Sequence, residues 1–256
     1  MTTYERRKSL LDMLKKQPGL RVTEIAQEMG VSEGTVRNDL NALEAEGCLR
    51  RVHGGAVLNP SKQPPLPAFS VRHLKNVYEK ECIAEQAAKM VNEGDSILLD
   101  ASSTVYYFAL NLQEHNHLRV VTNGIDVARL LAQNASNTVI LIGGVLSQDG
   151  SSVTGLLSEQ IISELRIQKA FISCSGFSIQ RGLTEVRLEE AQLKRKAIES
   201  AQQVIALVDS NKFGLEDLTS FALPDKITHL FTDSGINNEW KTSLKKLHIP
   251  FTICGA

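Results

Sequence analysis

Hydrophobic residues follow two different spacings along the chain. In the first 58 residues they recur every three or four positions, which predicts short amphipathic helices. After Asp95, short apolar runs alternate with segments of helical spacing, and the run at 139–142 predicts a strand buried on both faces. Such alternation is typical of a largely parallel sheet with helices on both sides. The larger part of the chain is therefore predicted to be α/β.

The predicted elements of this part follow one another without an internal repeat. The predicted strands are 96–100, 118–123, 137–144, 169–176, 203–209, 229–233 and 250–254. The predicted helices are 104–112, 125–133, 155–165, 189–201 and 236–246, preceded by a helical stretch at 69–92. Residues 59–68 hold four of the seven prolines and predict an extended linker. We therefore expect a domain at 3–58, a Pro-rich linker at 59–68 and a second domain at 69–256.

A helix with two contrasting faces is predicted at residues 33–46, with Ser32 as its N-cap. Val36, Leu40 and Leu43 share one face and point toward a core. The opposite face and its flanks carry small or hydrogen-bonding side chains: Gly34, Thr35, Arg37, Asn38 and Asn41. Asn can pair with an adenine edge, and Arg with a guanine edge or a phosphate. An isolated helix of this kind is more often a solvated surface helix. Whether it binds DNA must therefore be judged from the neighbouring segments.

The neighbouring segments favour DNA binding. Residues 23–30 predict a second short helix, joined by a tight turn to helix 33–46 in a helix-turn-helix arrangement. Residues 48–57 then alternate like two short strands around a Gly-Gly pair, as in the wing of a winged helix. Three basic side chains of this wing suit DNA phosphates: Arg50, Arg51 and His53.

Two consecutive motifs summarise this region. They are Val31-Ser32-x-x-Thr35-Val36-Arg37-x-Asp39-Leu40-x-x-Leu43-Glu44-x-x-Gly47 and Arg51-x-His53-Gly54-Gly55-Ala56. Together they resemble the N-terminal winged helix-turn-helix of the DeoR family of bacterial transcription regulators, which usually has a second Arg where this chain has Asn38. The resemblance implies that the chain binds a double-stranded DNA operator. The predicted DNA-binding residues are Ser32, Thr35, Arg37, Asn38, Asn41, Arg50, Arg51 and His53.

Composition adds a modest charge asymmetry. The chain has a net charge of −1, but residues 1–75 hold 12 Lys and Arg against 8 Asp and Glu, while the remainder holds 16 against 21. A mildly basic N-terminal part on an acidic body is consistent with DNA contact at one end. Because no apolar run reaches the ~18 residues of a membrane span, no membrane partner is expected. The four cysteines are scattered without a C-x-x-C pair, which favours a reducing, cytoplasmic setting.

The predicted strands of the second domain end in similar polar residues. Ligands of open α/β sheets bind outside the carboxyl ends of the strands. Loop 100–104 leads directly into a helix whose free N–H groups form an anion cradle, and Lys212 can add a positive charge. Ser, Thr, Gly and Asp are common at any such turn, but five or six strand ends share the pattern. We therefore predict a pocket for a small phosphate-bearing ligand.

A second resemblance covers these strand ends. Its motifs are Leu99-Asp100-x-Ser102-Ser103-Thr104, Val121-Thr122-Asn123, Ile142-Gly143-Gly144, Gly176, Gly182-Leu183-Thr184 and Asp209-Ser210-x-Lys212. They resemble the DeoR-family C-terminal sensor domain, whose mostly parallel, Rossmann-like sheet is similar to phosphosugar isomerases and which binds phosphosugars without converting them. The predicted effector-binding residues are Asp100, Ser102, Ser103, Thr104, Thr122, Asn123, Gly143, Gly144, Gly176, Glu185, Asp209 and Lys212. Acids near 185–190 also suit a helix start; the functional alternative is that Glu185 or Lys194 contacts ligand hydroxyls.

The sequence thus predicts a transcription regulator: a repressor of a carbohydrate-metabolism operon that a phosphorylated sugar releases from its operator. A homo-oligomer, dimer or tetramer, is expected because one short recognition helix gives too little specificity. No catalytic residue, cofactor or metal site is predicted, since His115 and His117 lack a third ligand. Two alternatives stay open. One is an isomerase-like enzyme with a DNA-binding head, with Asp100, Glu185 or Asp209 as base. The other is a constitutive DNA-binding protein whose second domain only oligomerises.

Overall fold

The chain forms two compact units, residues 1–68 and 69–256. The computed structural model describes residues 3–16, 19–45, 49–52, 55–58 and 69–255. His53 and the predicted linker at 59–68 lie outside the described residues, as do Gly47 of the first motif and Gly54 of the second. Within the described ranges, no helix is long and apolar enough to cross a membrane.

The first unit has a helix-turn-helix followed by a hairpin, as predicted. Its described elements are α1 (Thr3–Lys16), α2 (Val22–Met29), α3 (Glu33–Ala45), β1 (Leu49–Val52) and β2 (Gly55–Leu58). The Ser32 hydroxyl accepts a hydrogen bond from the Thr35 amide at 3.1 Å, so α3 begins at the expected cap. Strands β1 and β2 pair antiparallel.

The inner face of α3 fixes this helix against α1. Val36, Leu40 and Leu43 are buried in the core of the unit, as their spacing predicts. Asp39 is buried beside them and accepts hydrogen bonds from Arg6 Nη2 at 3.2 Å and Arg7 Nε at 3.1 Å. A carboxylate on the buried face is thereby paired with two cations of α1, which makes its burial tolerable.

A seven-stranded parallel sheet organises the second unit. Its strands are β3 (Ser96–Leu99), β4 (Arg119–Thr122), β5 (Thr138–Leu141), β8 (Ile167–Ile172), β11 (Ala201–Leu207), β13 (His229–Asp233) and β14 (Phe251–Cys254), in the spatial order β14-β13-β11-β8-β3-β4-β5. The helices are α4 (Phe69–His73), α5 (Val77–Ala88), α6 (Ser103–Leu110), α7 (Ile125–Leu131), α8 (Leu156–Ser163), α9 (Leu188–Ser200) and α10 (Asn238–Lys246), with short 3-10 turns at Ser210–Lys212 and Pro224–Lys226. Two small antiparallel sheets are added: β6 (Val145–Leu146) with β7 (Val153–Thr154), and β9 (Gly176–Ser178) with β10 (Gly182–Glu185) and β12 (Thr219–Ala222).

Both faces of the large sheet are buried. Leu98 and Ile172 belong to the hydrophobic cluster on one side, while Leu99 and Phe171 belong to the cluster on the other. Neighbouring residues of one strand point to opposite faces, so continuous apolar runs are what such a sheet needs. The predicted α/β class is confirmed, and the predicted strands and helices differ from the observed bounds by at most four residues at either end.

The helical stretch predicted at 69–92 is present as two helices, α4 and α5. Two predictions about strands are wrong. Strand 137–144 is not buried on both sides: β5 is the edge strand, and Ile140 and Leu141 are 41% and 45% exposed. Strand 169–176 ends at Ile172, and Gly176 instead begins β9. There a Cβ atom would stand 2.4 Å from the Leu215 carbonyl oxygen, so Gly176 serves close packing of the small sheet.

Candidate DNA interface and effector site

The outer face of α3 presents the predicted groove-reading residues to solvent. Arg37, Asn38 and Asn41 are exposed, together with Ser32 at the cap. Thr35 is half-buried, and its hydroxyl lies 2.8 Å from the Ser32 hydroxyl. The face therefore offers a guanidinium, two amides and hydroxyls on a helix that is seated by its opposite side, which is the arrangement of a recognition helix.

Arg37 is paired within its own helix. Its Nη2 lies 2.5 Å from Glu33 Oε2, with the two side chains 55% and 43% exposed. An exposed pair four residues apart is worth only ~0.3–0.5 kcal/mol. A guanine edge or a phosphate can therefore displace Glu33 at little cost.

The wing is joined to α3 through Arg51. The Arg51 amide donates to Glu44 Oε1 at 2.7 Å, and its Nη1 donates to Asn41 Oδ1 at 2.8 Å. Two residues predicted for separate DNA contacts thus hold each other in place in this structure, and Glu44 was not among the candidates. Arg50 lies in β1, but its side chain is outside the described set, as is His53.

In the second unit, the strand-end rim is the set of loops that follow β3, β4, β5, β8 and β11. Asp100, directly after β3, is buried and organises two of these loops. Its Oδ1 accepts from the Ser102 amide at 2.9 Å, and its Oδ2 from the Ser173 amide at 3.0 Å. Ser102 in turn caps α6 by accepting from the Val105 amide at 3.2 Å. The carboxylate therefore shapes the cradle that was predicted at this helix start.

Lys212 reaches the same helix start from the loop after β11. Its Nζ donates to Ser173 Oγ at 2.9 Å, lies 3.5 Å from Thr104 Oγ1 and pairs with Asp209 Oδ2 at 3.1 Å. The side chain is 18% exposed, so solvent reaches it. Burial alone would raise the pKa of Asp209, but Lys212 holds that pKa below its ordinary value. An ammonium group and the positive end of a helix thus adjoin at the rim, which favours an anion between them.

Lys194 of α9 is the buried centre of a second cluster. Its Nζ lies 2.6 Å from Glu185 Oε2, 3.3 Å from Asp100 Oδ2 and 3.0 Å from the Ser173 carbonyl oxygen. Burial lowers the pKa of Lys194, but the carboxylates of Glu185, Asp100 and Glu190 outweigh burial and raise it. The sequence left open that Glu185 or Lys194 contacts ligand hydroxyls. In this structure the two side chains form an ion pair with each other.

Other rim candidates are committed to internal contacts. Thr122 Oγ1 accepts from the Gly124 amide at 3.0 Å. Asn123 Nδ2 donates to the Val153 carbonyl at 3.3 Å and to Glu190 Oε2 at 3.4 Å. Ser103 is buried in α6, whereas Gly143 and Gly144 are exposed after β5. The structure therefore brings together five of the predicted candidates: Asp100, Ser102, Thr104, Asp209 and Lys212. Ser173, which was not predicted, lies between them and contacts both Asp100 and Lys212.

A small cavity adjoins Asp100 and Lys194. A cavity of about 10 Å³ is lined by Asp100, Asn123 and Lys194 on its polar side. Its remaining lining is apolar: Leu98, Ile142, Ile162, Ile172, Leu193 and Ala197. A space of this size holds about one water molecule, so it is too small for a sugar-sized ligand.

The segment at 72–80 adds positive charge that sequence reasoning missed. Asn76 Nδ2 donates to Asp209 Oδ1 at 3.1 Å, and buried Lys80 donates to the Arg72 carbonyl at 2.6 Å. Burial, then the charge of Lys212, lowers the pKa of Lys80 to about 8. Arg72 Nε is buried without a hydrogen-bond partner among the described residues. The only signal in sequence was three Lys or Arg residues scattered through 69–80, which any exposed helix can carry.

Known proteins match both units. A family model described as the DeoR-like helix-turn-helix domain matches residues 6–62, and one described as the DeoR C terminal sensor domain matches residues 75–234. The HTH-type transcriptional regulator GolR of Listeria innocua is 34% identical, with 99% of each chain covered. The lactose phosphotransferase system repressor of Streptococcus mutans is 34% identical over 91% of this chain and 93% of that one. Ribose 5-phosphate isomerase A of Methanocaldococcus jannaschii aligns with a TM-score of 0.38 at 17% identity, covering 54% of this chain and 55% of that chain.

Proposed function

Because the chain belongs to the DeoR family of transcriptional regulators, we propose that it represses a carbohydrate-metabolism operon until a phosphorylated sugar binds its second unit. Membership makes the chain a DNA-binding regulator and not an enzyme, which removes the isomerase alternative. A relative named as a lactose phosphotransferase system repressor supports both the sign of regulation and the link to sugars. Since it acts on DNA, we place it in the cytoplasm.

The observation that carries the effector assignment is Lys212 beside the start of α6. A cation next to a helix N-terminus is electrostatically unfavourable unless an anion joins them. Asp209 supplies part of that negative charge in this structure. A phosphate group at the rim would accept hydrogen bonds from Lys212 Nζ and from the Ser102 hydroxyl. Buried Thr104, Thr122 and Asn123, together with Glu185 and Gly144, would shape the surroundings. The sugar part then extends over the exposed loop after β5.

For DNA, the proposed reading residues are those on the outer face of α3. Arg37, Asn38 and Asn41 would reach base edges, with Thr35 and Ser32 at the helix start contacting a base or phosphate. On the wing, Arg50, Arg51 and His53 would hold phosphates. Self-association, as dimer or tetramer, would place two such helices on two half-sites and supply the specificity that one helix lacks.

Ligand release of DNA requires a difference in affinity between two states. A ~100-fold weaker operator complex needs about 2.7 kcal/mol of preference by the sugar phosphate for the DNA-incompetent state. By reciprocity, operator DNA must weaken sugar-phosphate binding by the same factor.

A thermal-shift screen tests the effector assignment. Sugar phosphates are compared with the same sugars lacking phosphate, since a ligand at 100 times its Kd stabilises the folded state by about 2.7 kcal/mol. We expect stabilisation only by phosphorylated compounds, and its loss in Lys212→Met. The matched control is Lys226→Met, an exposed lysine also next to an Asp. If no phosphorylated metabolite stabilises the protein, the alternative of a constitutive DNA-binding protein with a purely oligomerising second domain replaces this proposal.

A further inference from the structure

An exposed apolar surface lies at the β5 edge of the second unit. We call it the β5 edge patch, and seven large side chains form it, each between 38% and 70% exposed: Ile140, Leu141, Val145, Leu146, Leu156, Leu157 and Ile161. Monomeric proteins rarely expose large contiguous apolar patches, and such patches are typical of interaction sites.

The members of the patch are held together by local contacts. Ser158 at the start of α8 donates to the Gly143 carbonyl, just after β5, at 2.7 Å. Val145 pairs with Thr154 in the small β6–β7 sheet, which leads directly into α8. The edge strand, the small sheet and the first turns of α8 therefore adjoin one another, with Ile140 and Leu141 on opposite faces of β5.

This surface carries almost no charge. From Thr138 to Ser158 the only charged residue in the sequence is Asp149. Its carboxylate is used internally: it accepts from the hydroxyls of Ser147 and Ser151 and from the Phe69 amide. Depletion of charge is the compositional mark of the core of a protein–protein interface, and it argues against contact with DNA.

The edge of the sheet adds a directional feature. β4 pairs with one side of β5, and no strand among the described residues pairs with the other side. An open edge presents a row of N–H and C=O groups that another strand can pair with. A second copy of β5, turned by a twofold axis, runs antiparallel to the first and offers an identical, equally uncharged row, so nothing repels its approach.

The area also suits a second copy. The seven exposed fractions together equal nearly four fully exposed large side chains. A stable complex buries ~800 Å² on each partner, around a core of apolar anchors. The patch supplies such a core, and the uncharged turns on either side of it supply a polar border.

We propose that two copies of this chain associate through the β5 edge patch, with their β5 strands side by side and antiparallel. The inference rests on the self-association included in the proposed function and assigns it a surface. The partner is a second copy, and the sheet continues across the interface.

Mass measurements on the full chain test this assignment. Leu146→Asp with Leu157→Asp places two charges in the patch, and we expect the mass by light scattering to fall to half the wild-type value, where the wild type has at least twice the chain mass of 28.1 kDa. The matched control is Leu218→Asp with Leu223→Asp, two leucines exposed elsewhere on the same unit. The control is expected to keep the wild-type mass, and circular dichroism checks that both variants are folded.

Hydrogen exchange on the unmodified protein gives a second readout. The amides of Val139 and Leu141 face the open edge, because the Thr138 and Ile142 amides on either side of them donate to the Leu118 and Thr122 carbonyls on the β4 side. These two amides are expected to exchange at least tenfold more slowly above the association concentration than below it. The assignment is overturned if the wild type is a monomer, if the patch variant keeps its mass, if the control dissociates, or if exchange at 139 and 141 does not depend on concentration. Sugar-phosphate stabilisation is scored separately, so failure here leaves the effector proposal standing.

Discussion

Individual side chains in this protein combine structural and functional demands. Asp39 occupies the recognition helix yet faces inward to Arg6 and Arg7. The helical spacing placed Val36, Leu40 and Leu43 correctly because periodicity is a local property. The partner of Asp39 lies more than thirty residues away in the chain, and no local pattern reveals it. The same holds for Lys194, whose carboxylate partners come from β10 and from the loop after β3.

Replacing Arg37 and Asn41 together by Ala is expected to abolish specific operator binding. Each good base contact contributes ~1–3 kcal/mol, so the loss is about 100-fold or more in Kd by gel shift. Thermal unfolding should stay close to wild type, because both side chains face away from the core. Arg129→Ala with Asn238→Ala is the control, since Arg129 is likewise exposed and paired within its helix. Unchanged operator binding in the first variant contradicts the groove assignment.

Lys80 is expected to make stability rise with pH in the alkaline range. Its pKa is about 8 in the folded protein because burial and Lys212 oppose its charge, whereas an unfolded lysine titrates near ~10.4. Between these values the unfolded chain binds more protons, so the free energy of unfolding increases with pH. Relative to Lys80→Met, the wild type should gain about 1–2 kcal/mol from pH 8 to 10, less than full linkage because nearby charges are screened. Urea titrations at several pH values measure the free energy of unfolding of both proteins. A difference between them that does not change with pH contradicts the assignment.

Elements show where local signals suffice and where they fail. Capping and periodicity located α3, and continuous apolar runs located the central strands. The sheet formed by β9, β10 and β12 was missed because its strands have three or four residues each and β12 pairs across a separation of more than thirty residues. Burial of β5 was misjudged because a strand's place in a sheet depends on the whole topology. The sequence predicted which loops form the strand-end rim. It did not predict that side chains such as Thr122 and Asn123 form hydrogen bonds within the protein.

Gly182 is expected to be essential for this small sheet. Its φ is +63°, and a Cβ atom there would stand 2.0 Å from the Ala222 carbonyl oxygen. Gly182→Ala should therefore lower the free energy of unfolding by about 2 kcal/mol or more, from strain and displacement of β12. Gly143→Ala is the comparison, because nothing lies within 4 Å of an added Cβ. Denaturant titration separates them, and equal stability of the two variants refutes the packing role.

At the scale of the whole molecule, effector and operator are expected to compete. With a stabilising sugar phosphate present, wild-type operator affinity should fall about 100-fold. Lys212→Met should bind operator as the wild type does without effector and keep that affinity when effector is added, while Lys226→Met should respond normally. Fluorescence anisotropy with labelled operator measures all three. Release of Lys212→Met by the same compound at the same concentration would show that the phosphate binds elsewhere.

The way α3 is seated has a consequence for how such regulators can be retargeted. Its anchoring residues Val36, Asp39, Leu40 and Leu43 are buried on the side opposite the proposed DNA-reading face. Exposed positions such as Arg37 and Asn38 can therefore be exchanged while the scaffold stays intact. A library varied at those positions and selected on altered half-sites should yield proteins that bind new operator sequences. The metabolite that switches them would stay the same, because the switch is built into a separate unit.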